Sequence, residues 1–350
     1  MKFVFFTDSH FHLFTNYAKP DDEYVNDRFR EQMEALQKVY DIAREHKAKV
    51  IFGGDLFHKR NSVDTRVYNK VFEVIAGQQT YDKIPHTYIL RGNHDSVTNS
   101  LYTDSSIEPL GLVPGIEVID TPESHMFIDE NGKEFYITFV PYGDETEEIK
   151  QYIKDNNVPG KVNILVGHLG VEGSLTGKGS HRLEGAFGYQ DLLPDSYDFI
   201  LLGHYHRRQY FNNPNHLYGG SLMQQSFSDE QEANGVHLID TEKMTTEFIP
   251  IYTRRFITIQ GEDIPENFEQ LVDEDNFIRV IGTSNHAKVL EMDDSMKDRN
   301  VEVQIKKEYT VEKRIESDVS DDPLTIASTY AKQYLPESEQ EILECLKEVL

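Results

Sequence analysis

Cysteine is almost absent from this chain, and long apolar runs are absent too. The single cysteine, Cys345, excludes an internal disulfide and any metal site built on several thiolates, which is typical of a reducing compartment. No apolar stretch approaches the ~18 residues of a membrane span. The apolar start of the chain ends at Asp8, too early for a signal peptide. We therefore expect a cytoplasmic protein with no membrane partner.

Basic residues are scarce relative to acidic ones. The 350 residues include 35 Lys and Arg against 61 Asp and Glu, which gives a formal net charge of −26. This balance argues against a protein that coats nucleic acid, because phosphate contacts depend on Lys and Arg. It does not exclude a nuclease, since divalent cations bound at an active site can supply positive charge there.

Short apolar runs alternate with amphipathic segments up to about residue 250. Helical spacing of apolar residues predicts helices over residues 28–45 and 67–76. Continuous apolar runs predict strands that are covered on both faces, at residues 3–6, 49–52, 86–90, 135–141, 162–166 and 199–202. This alternation is typical of a layered α/β fold.

Polar residues follow five of these strands where each apolar run ends. The segments read DSH (8–10), GGD (53–55), GNHD (92–95), GH (167–168) and GHYH (203–206). Because ligands of α/β folds gather at the carboxyl ends of strands, we expect these side chains to converge. The candidate site residues are Asp8, His10, Asp55, Asn93, His94, His168, His204 and His206.

Imidazole nitrogen and carboxylate oxygen, without thiolate, suit Mn, Fe or Zn. The set is too large for one tetrahedral ion and about large enough for two ions that share a carboxylate. Two cations cancel the charge of a phosphodiester and acidify a water for in-line attack, and a nearby histidine can protonate the leaving oxygen. Each motif alone is equally typical of an ordinary loop, whereas the ordered series indicates a two-metal site.

The chain changes character after about residue 250. Residues 251–316 contain short alternating segments and predict a small α+β domain. Residues 317–350 follow, with Pro323 well placed at a helix start and an apolar stripe on the last helix. This helical segment fits either docking on a partner or packing on the chain's own second domain.

The same motifs resemble the calcineurin-like metallophosphoesterase superfamily. The segments GGDLFH (53–58), HLGVEGS (168–174), FILLGHYHRRQ (199–209) and the stretch 218–240 are similar to the SbcD-type DNA repair nuclease subunits of bacteria and phages. The resemblance covers about residues 1–255. It implies a four-layer metallophosphoesterase-type β-sandwich flanked by helices as residues 1–250, a capping domain at 251–316, and an ATPase-docking helical segment at 317–350.

The resemblance also implies a role for each site residue. Two divalent ions, expected to be Mn²⁺, would be bridged by Asp55. His94 would act beside the scissile phosphate with help from His58, although His58 is equally explained as a helix-entry residue. Asp95 would orient a histidine or cap the turn. The ligands would be Asp8, His10 and His206 for one ion, and Asn93, His168 and His204 for the other.

The implied activity is exonuclease on duplex DNA ends and endonuclease on single strands or hairpins. The implied partners are DNA, a coiled-coil ATPase of the SbcC type, and a second copy of the chain in a homodimer. Two departures weaken DNA binding by this chain alone: Asn234 stands where relatives often carry a basic residue, and the chain is strongly acidic. The alternatives are an enzyme for small phosphodiesters or phosphoproteins, and a metal-stabilised scaffold for the ATPase.

Overall fold

The computed structural model describes residues 1–78, 86–129, 131–175, 187–230, 233–261, 263–283, 300–306 and 323–349. In chain order, the strands are β1 (Lys2–Phe6), β2 (Pro20–Asp21), β3 (Val25–Asn26), β4 (Lys49–Phe52), β5 (Thr87–Leu90), β6 (Ile116–Ile119), β7 (Glu123–Ile128), β8 (Glu134–Val140), β9 (Val162–His168), β10 (Phe199–Gly203), β11 (Gln209–Tyr210), β12 (His216–Tyr218), β13 (Gly235–Asp240), β14 (Thr245–Pro250), β15 (Phe256–Gln260), β16 (Phe277–Thr283) and β17 (Val301–Lys306). The α-helices are α1 (Asp27–His46), α2 (Thr65–Gly77), α3 (Thr146–Asp155), α4 (Phe268–Asp273), α5 (Pro323–Tyr334) and α6 (Glu339–Val349).

Two six-stranded sheets form the centre of the molecule. The first has the order β14-β13-β1-β4-β5-β6, in which β1, β4, β5 and β6 are parallel and β13 pairs antiparallel with β1 and β14. The second has the order β11-β12-β10-β9-β8-β7, with a parallel centre and antiparallel strands at both edges. The carboxyl ends of β1, β4 and β5, and of β9 and β10, therefore carry the loops that follow the central strands.

The two sheets pack face to face between helices. Alternate residues of β1 point to opposite faces, so Val4 and Phe6 pack in the core beneath α1 and α2. Phe3 and Phe5 pack instead in the core between the sheets, with side chains from β8, β9 and β10. The outer face of the second sheet is covered by Ile149 and other residues near α3. These four layers confirm the predicted α/β sandwich.

A third sheet follows the sandwich. Its order is β15-β16-β17, all three strands are parallel, and α4 connects the first two. A separate small core of Ile259, Phe268 and Ile278 lies within it. The sandwich ends at Pro250 and this sheet begins at Phe256. The predicted boundary at residue 316 lies outside the described residues.

The last two helices pack on each other. Ser328 donates a hydrogen bond to Glu339 across the pair at 2.9 Å, and Ala331 is buried. Among the helices that the structure describes, none is long and apolar enough to cross a membrane.

Candidate metal centre

The eight candidate side chains meet at the carboxyl ends of the central strands. We call Asp8, His10, Asp55, Asn93, His94, His168, His204 and His206 the strand-end cluster. Asp8 and His10 follow β1, Asp55 follows β4, and Asn93 follows β5. The remaining members come from the second sheet, except for His94. The cluster thus joins both sheets of the sandwich.

One group of donors surrounds His10. The ligand atoms of Asp8, His10 and His206 lie within 4.8 Å of one another. The Nε2 atoms of His10 and His206 are 3.0 Å apart, a separation that suits either a shared proton or two ligands of one ion. His10 is almost fully buried, and the structure provides no hydrogen-bond partner for its Nδ1 among the described residues.

A second group of donors surrounds Asn93. Its Oδ1 lies 3.1 Å from His168 Nε2 and 3.0 Å from His204 Nδ1. Asp55 stands between the two groups. Its Oδ2 is 3.5 Å from His10 Nε2 and 3.3 Å from His168 Nε2. A single carboxylate oxygen is therefore close to donors of both groups, which is the arrangement that a bridging ligand needs.

The loops reach this geometry through unusual backbone conformations. Asp8, His10, Asp55 and His204 all have positive φ, at 51°, 46°, 62° and 98°. Non-glycine residues rarely adopt this region, and such residues concentrate at functional sites. Gly54, with φ 104°, lies so close to His168 that an added Cβ would stand 2.3 Å from its Nδ1.

Asp95 holds two of these loops together. Its buried carboxylate accepts backbone N–H groups from Gly92, Asp55, Leu56 and Phe57 at 2.9–3.2 Å. Burial and the nearby Asp55 raise the pKa of Asp95 to about 7, against the effect of the amide donors. Of the two roles considered for Asp95, the structure shows the turn cap.

Two histidines of the cluster are oriented by hydrogen bonds from Nδ1. His168 Nδ1 lies 2.8 Å from the carbonyl oxygen of Gly53, and His206 Nδ1 lies 2.9 Å from Asp229 Oδ1. When Nδ1 donates, Nε2 is left with a lone pair that can bind an ion. The sequence reasoning did not single out Asp229. The segment SFSD, which forms a capping box at residues 226–229, was the available signal.

His94 is fixed from two sides. Its backbone N–H donates to Asp55 Oδ1 at 2.7 Å, and its Nδ1 lies 2.6 Å from the carbonyl oxygen of His58. The ring of His94 is edge-on to His10, with 4.6 Å between centroids. The ring of His58 packs between His12 and Phe14, 5.1 Å from each. His58 thus contacts His94 through its main chain as well as its ring.

Charge in the cluster is balanced between carboxylates and histidines. Burial raises the pKa of Asp8, whereas His168 and His10 hold the pKa of Asp55 well below its usual range despite burial. Burial opposes protonation of His168 and His206, but nearby carboxylates raise the pKa of each to about 9. Divalent cations would satisfy the same carboxylates, and metal binding displaces such protons. The donor set therefore fits divalent ions.

Basic residues near the cluster mostly have other partners. The Nε–H of Arg60 donates to the carbonyl oxygen of Asn93 at 2.8 Å, and Arg66 pairs with Asp64 at 2.8 Å. The guanidinium of Arg208 lies 3.6 Å from the ring centroid of Phe248. Three further bases considered as phosphate contacts, Lys178, His181 and Arg182, lie outside the described residues.

Similarity to known proteins decides the family. The model of the calcineurin-like phosphoesterase family matches residues 1–208. The chain belongs to this family. The match spans β1 to β10 and all eight members of the strand-end cluster. It confirms the predicted resemblance and supports a phosphoester hydrolase that depends on divalent metals.

Two curated relatives extend the similarity beyond residue 208. This phosphoesterase chain is 26% identical over 307 residues to the SbcD subunit of the nuclease SbcCD from Staphylococcus epidermidis, which covers 78% of this chain and 75% of the relative. It is 26% identical over 239 residues to exonuclease subunit 1 of Enterobacteria phage T4, covering 67% of this chain and 64% of the phage protein. A solved dimetal phosphatase from Danio rerio overlays with a TM-score of 0.42 at 11% identity, covering 68% of this chain and 91% of the other.

Proposed function

We propose that this phosphoesterase is an SbcD-like DNA nuclease that works by a two-metal mechanism. The position of Asp55 Oδ2 between His10 Nε2 and His168 Nε2 is the observation that carries the proposal. Phosphodiester hydrolysis is the reaction for which a carboxylate shared by two ions is suited, because both the attacking and the leaving oxygen need stabilisation. Exonuclease action on duplex ends and endonuclease action on single strands or hairpins is the proposed activity.

Each donor group would hold one ion. Asp8, His10 and His206 would bind the first, with Asp229 keeping His206 in position. Asn93, His168 and His204 would bind the second, and Asp55 would bridge both. Mn²⁺ is the proposed ion, since nitrogen and oxygen donors without sulfur suit it.

His94 is the proposed catalytic residue beside the scissile phosphate. The contact between Nδ1 and the His58 carbonyl leaves Nε2 available to donate a proton to the leaving oxygen. His58 is proposed to assist by fixing the ring of His94. The packing of His58 against His12 and Phe14 is equally consistent with a supporting role alone.

A cavity of about 870 Å³ beside the cluster supports a nucleic-acid substrate. It extends from His58 to the third sheet, and its lining mixes rings with cations. Aromatic rings can stack on bases while cations contact phosphates, which is how single strands are bound without sequence preference. The rings and cations that line it are Phe14, Tyr17, Phe227, Phe256, Arg28, Lys59 and Arg66.

A larger assembly is also proposed. The printed names of both relatives describe subunits, which supports a multi-subunit enzyme. An SbcC-like coiled-coil ATPase is the proposed partner, and the pair α5–α6 is the proposed docking segment. Leu335 and Leu346 line a shallow apolar cavity there. Homodimerisation and action in DNA repair or recombination, in the cytoplasm, belong to the same proposal.

The test combines a catalytic variant with a metal measurement. His94→Gln should bind Mn²⁺ like the wild type and lose about 100-fold or more in nucleotide release from linear duplex DNA. His46→Ala, a histidine at the end of α1, is the matched control and should keep full activity. Full DNA cleavage by His94→Gln, or cleavage that persists after chelation of divalent ions, would contradict the mechanism.

The strongly acidic charge favours one alternative, a phosphodiesterase for small molecules. A substrate with one or two phosphates needs few basic contacts, whereas a DNA duplex rewards many. Rapid turnover of a small phosphodiester with no release of nucleotides from DNA would establish this alternative and reject the nuclease.

A further inference from the structure

A second group of histidine and glutamate side chains lies apart from the strand-end cluster. His86 precedes β5, Glu117 is in β6, and Glu123 and His125 are in β7. Strands β6 and β7 are the outermost strands of the two sheets on the same side of the sandwich. Glu123 and His125 share a face of β7 because they are two residues apart. We call these four residues the edge cluster.

The edge cluster is closely spaced. The ligand atoms of Glu117, Glu123 and His125 lie within 4.8 Å of one another. His125 Nδ1 is 3.4 Å from Glu117 Oε1, and His125 Nε2 is 3.0 Å from Glu123 Oε2. His86 Nε2 is 3.3 Å from the other oxygen of Glu117. Both ring nitrogens of His125 therefore face carboxylates from different strands.

Two of these distances suit metal ligands better than hydrogen bonds. Hydrogen bonds from nitrogen to oxygen have usual distances of about 2.7–3.2 Å. Ligands placed tetrahedrally at about 2.0 Å from a zinc ion are separated by about 3.3 Å. The separations of 3.3 and 3.4 Å around Glu117 fall at the second value.

Charge and exposure also suit a cation. Two carboxylates beside neutral imidazoles give the edge cluster a charge that one divalent ion balances. The side chains are 21–39% exposed, so an ion can reach them from solvent. Lys49, whose charge acts on Glu117, stands over the ring of Tyr88, with 5.8 Å from Nζ to the centroid.

We propose that Glu117, Glu123 and His125 bind one divalent transition-metal ion, with His86 orienting Glu117. Mixed nitrogen and oxygen donors favour Zn²⁺ over the hard cations Mg²⁺ and Ca²⁺. Because the ligands come from both sheets, the ion would clamp the edge of the sandwich. The site shares no residue with the strand-end cluster and does not depend on the proposed nuclease activity.

The test counts zinc ions per chain after dialysis against Zn²⁺. His125→Ala should retain one ion fewer than the wild type, and Glu123→Gln should weaken binding of that ion about 10-fold or more. His46→Ala is the control for the loss of an unrelated surface histidine and should retain the wild-type count. The difference between variant and wild type is independent of how many ions the strand-end cluster holds.

A second measurement covers a variant that folds poorly. Co²⁺ gives visible absorption that reports its ligands, and Glu123→Gln, which keeps the size of the side chain, should lose the bands from the edge cluster. Equal zinc counts in the wild type, His125→Ala and Glu123→Gln would overturn the proposal. Such a result would assign His125 to a proton-mediated contact between two glutamates.

Discussion

His204 and His206 are separated by one residue, yet their rings face different partners. His206 Nε2 lies 3.0 Å from His10 Nε2, and His204 Nδ1 lies 3.0 Å from Asn93 Oδ1. Spacing in the sequence allows both rings to reach one ion. The positive φ of His204, immediately after β10, turns the chain so that the two rings diverge. The structure therefore favours one histidine for each proposed ion.

Paired variants test this division. His10→Ala with His206→Ala removes two ligands of the same proposed ion, so the double variant should lose one Mn²⁺ per chain, as each single variant does. His10→Ala with His204→Ala should lose both ions, because a ligand of each is removed. Equilibrium dialysis with Mn²⁺ measures the count. Equal losses in the two double variants would show that both histidines bind the same ion.

Sequence motifs located the strand-end cluster but not its supports. Asp8, His10 and Asp55 stand at strand ends, and strand ends converge in α/β folds, so their proximity was predictable. Asp229 was not, because it reaches His206 from a 3₁₀ turn that no periodic pattern reveals. The assignment of ligands to ions stays a prediction that the titration above would test.

Among the secondary-structure elements, the strands with continuous apolar runs were the most predictable. Residues 49–52 form β4 as predicted, and the helix predicted over 28–45 is α1, begun by Asn26, whose side chain accepts the backbone N–H of Phe29. Strand β6 has four residues of mixed burial, and β7 alternates at the sheet edge, so neither carries a strong signal. Pairing partners depend on contacts far apart in sequence.

The end of β10 depends on a residue without a side chain. A Cβ on Gly203 would stand 2.2 Å from Thr7 Oγ1 and 2.4 Å from the carbonyl oxygen of Gly53. Gly203→Ala should lower the free energy of unfolding by about 1–3 kcal/mol through overpacking and should weaken metal binding. Urea titration and metal counting measure the two effects.

Gly77 provides the matched control for that substitution. A Cβ at Gly77, the last residue of α2, meets nothing within 4 Å. Gly77→Ala should leave stability unchanged or raise it by up to about 1 kcal/mol, because alanine restricts the unfolded chain. A similar loss of stability in both variants would show that close approach at Gly203 is not the cause.

A buried histidine in β13 makes stability depend on pH. Burial, reinforced by Arg208, lowers the pKa of His237 to about 4, and its Nε2 lies 3.2 Å from the carbonyl oxygen of Gly219. In the unfolded chain its pKa is about 6.5. Below that value the unfolded state takes up a proton that the folded state refuses until about pH 4, so folding is weakened as pH falls through this window.

Unfolding at two pH values tests this behaviour. Between about pH 7.5 and about pH 5, the wild type should lose about 2 kcal/mol more than His237→Gln, which cannot titrate. Urea titration gives both free energies, and His46→Gln should behave like the wild type. Equal losses in wild type and His237→Gln would show that His237 is not the source.

At the scale of the whole molecule, the sandwich and the third sheet are joined by an arginine. Arg254 Nη1 lies 2.7 Å from Asp27 and 3.1 Å from Asp275, and its Nε lies 3.0 Å from Glu31. The ring of Phe277 is 4.8 Å from its guanidinium. One side chain therefore connects α1 with the turn before β16.

Removal of that side chain should loosen the third sheet. Arg254→Ala leaves Asp27 and Glu31 without their cation, which should lower the stability of this region by about 3 kcal/mol. Hydrogen exchange in β15 and β16 should accelerate while Mn²⁺ binding is unchanged. Arg30→Ala breaks only an exposed pair with Asp21 and should have little effect. Unchanged exchange in Arg254→Ala would assign the connection to other contacts.

The order of residues along the chain has a consequence for synthesis. Strand β1 pairs with β13, so the first strand of the sandwich waits for a neighbour more than two hundred residues later. Asp8 and His10 emerge first from the ribosome, and His206 and Asp229 emerge long afterwards. A nascent chain that ends before His204 lacks a member of each donor group. Translation itself therefore delays assembly of the metal centre until most of the enzyme has been made.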